Sequence, residues 1–332
     1  MLSRVADSLY WLSRYLERAE NLARLVDVNR HDTLDTSSAS DSDEAWRPLL
    51  YATCTEDTFA TAKEKQGASL EVGSFIMFSE HNPDSIRKCI AYARENARMV
   101  RDQISEEMWL ELNRIHLFMQ SSEAEYLWSR DPEALCREVI KFSLLFQGLT
   151  DATILHDDGW QFVQLSKFIE RADKTSRILD ILTYLKNPEK TELASVLRSC
   201  SGFSAFRAEF RGEITLPNVI TFLLFSQSFP RSVRFCMRRL DSVLHSISGM
   251  PIGAFSNEAE RLAGSVLAQL NFSSIDTVWE VGLHEYIDEL QTRLNEIGQC
   301  VYETYVKVPS ELQNVKPWDH SIMPWQQQQQ QQ

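Results

Sequence analysis

Glu17-Arg18 and Glu170-Arg171 stand in nearly the same surroundings, "LSRYLERAENLARLVD" from Leu12 and "LSKFIERADKTSRILD" from Leu165. A glutamate beside an arginine on a helix offers two kinds of chemistry. The arginines can hold a carboxylate or phosphate through paired N–H donors while the glutamates hold an amine. Alternatively the charges meet one another as internal ion pairs, Glu17 with Arg171 and Glu170 with Arg18. Local spacing separates these arginines from their neighbours. Arg24 has Glu20 four residues before it and Arg177 has Asp173, the favoured order for a helical ion pair. Arg18 has only Arg14, Tyr15, Asn21 and Leu22 at that distance, and Arg171 only Lys167, Phe168, Lys174 and Thr175. Both sit at the edge of an apolar face, so each needs a partner from another helix or from a ligand. Glu17 and Glu170 do have a local cation, in Arg14 and Lys167. That asymmetry favours a binding cleft lined by Glu17, Arg18, Glu170 and Arg171 over a purely internal clasp.

Other chemistries find little support. There is no GxxxxGK[ST], no GxGxxG and no Gly-rich turn fit to cradle phosphate, so nucleotide hydrolysis by the chain alone is not expected. The histidines form neither HExxH nor Glu-x-x-His, and no cofactor or metal site is expected. Asp241 with His245 and Glu280 with His284 have i,i+4 spacing, which reads as contact along a helix surface. Six cysteines are spread without a CxxC and read as reduced, mostly buried thiols. Cys54 with Cys200 and Cys89 with Cys236 read as core packing, with no basic neighbour to activate a thiol. A general base at Glu17 or Glu170 would need a tuned pKa and a positioned substrate, for which there is no sign.

The helices that carry the two motifs belong to a larger repetition. The opening pair agrees at 7 of 16 positions at an offset of 153, against about one expected from residue frequencies. "VGSFIMFSEHNPDSIRKCI" from Val72 aligns with "VITFLLFSQSFPRSVRFCM" from Val219 at an offset of 147. The expected fold is all-α, a helical bundle of two pseudo-symmetric repeats, 1–150 and 151–306. At 100° per residue Leu12, Leu16, Ala19, Leu22, Ala23 and Val26 share one face with Tyr15, and Leu165, Phe168, Ile169, Ala172, Ser176 and Leu179 share its counterpart. The side carrying Glu17 with Arg14, Asn21 and Arg24, and Glu170 with Lys167, Lys174 and Arg177, is expected in solvent. Polar or Pro-containing stretches from Thr33, Asn187 and Ser248 predict loops, and Asn82 and Ser228 are candidate caps ahead of Pro83 and Pro230. Residues 307–332, ending in poly-Gln, predict a disordered tail.

A net charge of −13 with pI near 5.1 argues against nucleic acid as a partner. The first residues lack a signal-peptide profile and no window approaches a membrane span, so no membrane association and a cytoplasmic location are expected.

"MLSRVADSLYWLSRYLERAENLARLVDVN", "ARENARMVRDQISEEMWLELN" from Ala93, "LFQGLTDATILHDDGWQFVQLSKFIERADKTSRILD" from Leu145 and "LHEYIDELQTRLNEIG" from Leu283 together resemble the alpha-E family of bacterial proteins, over residues 1–306. The resemblance implies an all-helical fold and places the family's Glu-Arg motif on Glu17-Arg18 and Glu170-Arg171. It also implies context. Such proteins occur beside, or fused to, a circularly permuted ATP-grasp ligase, often near a transglutaminase-like cysteine protease. The implied role is a non-ATP-binding component of an amide- or peptide-ligase system that binds an amino-acid- or peptide-like substrate. The alternative is a structural adaptor that docks the ATP-grasp partner with its Glu-Arg motifs as internal clasps.

Overall fold

Apolar residues at three- and four-residue spacing, Ser, Asp, Thr and Asn caps, and few Gly or Pro interruptions commit this chain to helix. The computed structural model describes residues 3–35, 42–67, 69–185 and 187–307, and every regular element among them is helical. The first half runs through α1 (Ser3–Asp35), α2 (Ser42–Ala52), α3 (Glu56–Gln66), α4 (Val72–Phe78), α5 (Ile86–Met99), α6 (Glu106–Met119), α7 (Ser122–Arg130) and α8 (Pro132–Thr153). The second runs through α9 (Asp158–Asp180), a 3-10 turn (Ile181–Tyr184), α10 (Lys190–Ser199), α11 (Phe203–Glu209), α12 (Leu216–Phe225), α13 (Val233–Ser248), α14 (Glu258–Phe272), α15 (Ile275–Val281) and α16 (Leu283–Tyr305). No helix among the described residues is long and apolar enough to cross a membrane.

The two helices carrying the Glu-Arg motifs form the axis of the molecule. α1 packs on α9, and each has its own jacket: α5 and α8 around α1, α13 and α16 around α9. The expected apolar faces are buried, with Leu16 at 4% exposure and Ile169 at 2%. The expected solvated side is not solvated. Glu17, Asn21, Lys167, Glu170 and Arg177 are all buried, and Arg14, Arg24 and Lys174 are half-buried. The physical reason is enclosure: jackets from both halves close around both central helices, so their polar side has no route to bulk water.

Loops fall close to where turn-forming residues predict them. Asn187 adopts a left-handed φ of 60°, and Gly249 ends α13 with φ 75°. The polar stretch from Thr33 is shorter as a loop than predicted: α1 continues to Asp35 and α2 starts at Ser42, with 36–41 outside the described residues. The expected tail lies outside them from residue 308 onward. The caps also differ. A turn follows each proline, closed by Ser85 N–H to the Asn82 carbonyl and by Ser232 N–H to the Phe229 carbonyl, both at 3.0–3.2 Å. The caps are therefore Ser85 and Ser232, whose hydroxyls accept from Lys88 N–H and Phe235 N–H. Asn82 instead accepts from Asp84 N–H at 3.0 Å, holding the turn, and Ser228 is exposed.

Ser232 is fully buried and its hydroxyl also donates to the Ser226 carbonyl at 2.5 Å. Ser232→Ala removes the cap and leaves that carbonyl without a partner, so a loss of about 1–2 kcal/mol is expected. Urea unfolding followed by circular dichroism measures it, with exposed Ser246→Ala as the reference that should change little.

Candidate functional site

Glu17 and Arg18 lie mid-way along α1, Glu170 and Arg171 mid-way along α9, and the two helices cross so that each motif answers the other. Arg171 Nε and Nη2 donate to Glu17 Oε1 and Oε2, both at 2.8 Å. Arg18 Nε donates to Glu170 Oε1 at 2.8 Å, and Arg14 Nε to Glu170 Oε2 at 2.6 Å. All four motif residues are buried, none above 7% exposure. In place of an open cleft between them, the structure has the four side chains bonded across the helix interface. Arg14, which local spacing assigns to Glu17, is turned to Glu170.

The residues that complete this network come from elements distant in sequence. Asp84, in the turn before α5, accepts from Arg18 Nη1 at 2.5 Å. Arg231, in the corresponding turn before α13, donates through Nη1 to Glu17 Oε1 and Asn21 Oδ1, each at 3.0 Å, and through Nη2 to Glu20. Thr175 of α9 fixes that turn by donating to the Arg231 carbonyl at 2.8 Å. From α8, Ser143 donates to Glu20 at 2.7 Å, while Gln147 donates to Glu20 at 3.1 Å and accepts from Arg171 at 3.2 Å. Sequence reasoning missed Asp84 and Arg231 although a signal was present: "HNPDS" and "SFPRS" align them, an acid opposite a base in otherwise matching turns.

Electrostatics follow from this saturation. Burial alone would raise the Glu17 carboxyl, but Arg171 and Arg231 outweigh it and hold it down at about 2. Burial likewise opposes ionisation of Glu170, and Arg18, Arg14 and Lys174 hold it well below the usual carboxylate range. Carboxylates so strongly ionised and so fully bonded are poor general bases.

A different region is open. A cavity of about 390 Å³ lies at the C-terminal end of α9, between the α2–α3 junction and α16. Arg177 and Asp180 line it from α9, Tyr51, Cys54, Glu56 and Asp57 from the α2–α3 side, and His284, Asp288, Gln291, Thr292 and Asn295 from α16. Its two bases are already engaged. Arg177 Nε bonds Asp173 at 3.0 Å, and His284 Nδ1 pairs with Asp180 at 2.9 Å, a hydrogen bond that raises the imidazole above its ordinary pKa. Asp57 and Asp288 make no ion pair among the described residues, so the cavity presents unneutralised carboxylates. The thiol readings need one correction. Cys54 is exposed, has a left-handed φ of 54°, and its sulphur accepts from Arg177 Nη1 at 2.9 Å. Its basic neighbour is 123 residues away, beyond the reach of local spacing. Cys89, Cys136, Cys200 and Cys236 are buried as expected.

Asp241 and His245 do meet on α13 at 3.6 Å, but in a buried setting. Glu280 and His284 do not share a helix, because Gly282 with φ 103° separates α15 from α16. Asp27, His31 and Glu133 bring three potential ligand atoms within 4.8 Å of one another across α1 and α8, with His31 exposed.

Over residues 1–306 the chain matches a family described as "a predicted alpha-helical domain with a conserved ER motif". The chain belongs to the Alpha-E family. Among curated relatives it is 24% identical to the uncharacterised protein Mb2597 of Mycobacterium bovis and 23% identical to the uncharacterised protein Rv2567 of Mycobacterium tuberculosis. Each match covers 97% of this chain and 39% of the relative, so this Alpha-E chain spans well under half the length of those proteins. No solved structure matches it.

Two outcomes are expected of this buried network. Glu17→Ala strips Arg171 of its carboxylate and leaves Arg231 with the Glu20 carboxylate alone, and the loss in a denaturant titration should be about 3–5 kcal/mol, against at most about 1 kcal/mol for breaking the exposed Arg98–Glu95 pair. The pH dependence has a definite sign. Because the Glu17 pKa is lowered on folding, its contribution is fully present above the unfolded value of 4.5 and disappears as pH falls towards about 2. That window should remove on the order of 3 kcal/mol through Glu17 alone, with Glu170 acting in the same direction. Thermal melts at stepped pH check this, and Glu17→Gln should flatten the slope.

Proposed function

We propose that this chain is the non-ATP-binding helical component of an ATP-grasp amide- or peptide-ligase system. In this reading an amino-acid- or peptide-like substrate binds by its amine in the acidic cavity beside the second Glu-Arg helix. The observation that carries it is the placing of unpaired Asp57 and Asp288 in a cavity of about 390 Å³, within the usual range for small-molecule sites. Amide formation needs an amine nucleophile and an activated carboxylate. Carboxylates recognise the ammonium form of the first, and Gln291, Thr292 and Asn295 offer neutral donors and acceptors to an adjoining peptide group. Glu17, Arg18, Glu170 and Arg171 then act on the substrate indirectly, by locking α1 to α9 and so fixing Arg177 and Asp180 at the cavity wall.

The activated carboxylate comes, in this proposal, from a circularly permuted ATP-grasp partner, with a transglutaminase-like protease in the same system. The missing phosphate loop and the greater length of the mycobacterial relatives suit such a division of labour. A cytoplasmic location belongs to the same proposal, since the partner draws on ATP. We also infer that the halves 1–150 and 151–306 are pseudo-symmetric repeats of one unit. Supporting this are the serine caps Ser85 and Ser232, and the thiols of Cys89 and Cys236, each directed at a carbonyl of the preceding turn.

The saturation of the motif itself favours a second reading, an adaptor that docks the ligase and binds no substrate. Reconstitution with the ATP-grasp partner separates the two. The purified chain should neither bind nor hydrolyse ATP at millimolar nucleotide. Asp57→Asn with Asp288→Asn should lower amide formation at least tenfold, with unchanged melting temperature and unchanged partner binding. Full activity of that double variant would leave the adaptor reading standing alone.

A further inference from the structure

Lys167 is the exception among the charged groups at the α1–α9 interface. It is 8% exposed, yet among the described residues its ammonium makes no hydrogen bond or ion pair, and it lies over the Phe168 ring, 5.0 Å from the centroid. Its aligned counterpart Arg14 reaches Glu170 at 2.6 Å; the shorter lysine does not close the matching contact with Glu17. The side chain instead lines a narrow cleft of about 20 Å³ with Ser13, Glu17, Ser143, Gln147 and Gln164. That is room for a water or two, or for a small linear molecule.

The charged groups around this cleft do not balance. From α1 come Glu17, Glu20 and Arg24; from α8, Asp151; from α9, Lys167 and Arg171; from α13 and its preceding turn, Arg239 and Arg231. Cys236 of α13 also faces it, with its thiol held neutral by burial. Five cations therefore face three anions. Burial, and after it Arg171, push the Lys167 ammonium down to about 8, which leaves on the order of a tenth of it as free amine at pH 7.

We propose that Lys167 is a carbamylation site that takes up carbon dioxide. The neutral amine's lone pair attacks the carbon of CO2, an N–C bond forms, one C=O π pair moves onto oxygen, and the nitrogen's proton leaves to solvent. No electron is gained or lost. The change turns a buried cation without an ion-pair partner into an anion within reach of the side-chain amides of Gln147 and Gln164, both N–H donors, while the Ser13 and Ser143 hydroxyls stay bonded to the Val163 carbonyl and to Glu20. It also converts five cations and three anions into four of each, whereas a bound monoanion would still leave one cation in excess.

The test uses the full chain in 13C-labelled bicarbonate at pH 8. A slowly exchanging carbamate carbonyl resonance is expected in the 13C spectrum, and it should be lost completely in Lys167→Met. Alkylation with a trialkyloxonium salt converts the carbamate into a stable ester, and peptide mapping of the wild-type chain should place it on Lys167. This mapping decides the matter even where the variant fails to fold. Bicarbonate should also raise the melting temperature of the wild type and not that of the variant. A folded wild-type chain without the resonance, or ester found only on the α-amino group or on exposed lysines, overturns the proposal.

Discussion

Removing a carboxylate and a guanidinium from water is so unfavourable that an ion pair at a helix interface is tolerable only when nearly every lone pair and N–H finds a partner. The crossing of α1 and α9 buries two such pairs, and much of the surrounding structure supplies what they lack. The turn before α5 brings Asp84 to Arg18, the turn before α13 brings Arg231 to Glu17 and Glu20, and α8 contributes Ser143 and Gln147. A rotation of either helix by one residue would carry both pairs out of register at once. The Glu-Arg motif is thus a statement about helix orientation before it is one about a ligand.

How far this could be read from the chain itself depended on the range of each interaction. The helical class followed from periodicity, and the buried faces from Leu12 to Val26 and from Leu165 to Leu179 followed from spacing alone. The need of Arg18 and Arg171 for remote partners was also legible, since no acid stood within a turn of either. What local spacing could not weigh was enclosure. Glu17 and Glu170 looked solvated because the helices that cover them arrive from elsewhere in the chain. The cap positions were misjudged for a related reason: a polar residue one or two places before a proline, such as Asn82 or Ser228, looks like a helix start until the extra turn closed by Ser85 or Ser232 is seen. The acidic cavity had no sequence signature, because its walls come from three separated segments.

Rigidity and openness occupy opposite ends of the same helix. Mid-way along α9 every charged group of the motif is matched, while at its C-terminal end Arg177 and Asp180 face an unfilled space with surplus carboxylates. An arrangement of this kind separates what holds the molecule together from what it can exchange with a ligand. It also means that altering the motif moves the wall of a cavity that the motif does not itself line.

The reciprocity of the pairs bears on how the molecule comes apart. Glu17 lies before the exposed connection at 154–157 and its partner Arg171 after it; Arg18 and Glu170 are divided the same way. Each half therefore holds buried charges that the other half helps to neutralise. Opening one half strips the other of partners for its buried charges, and this electrostatic penalty couples the two halves towards one cooperative transition. A chain severed in that connection would keep all of these contacts, so the peptide link there serves mainly to hold the two halves at one-to-one stoichiometry and high effective concentration.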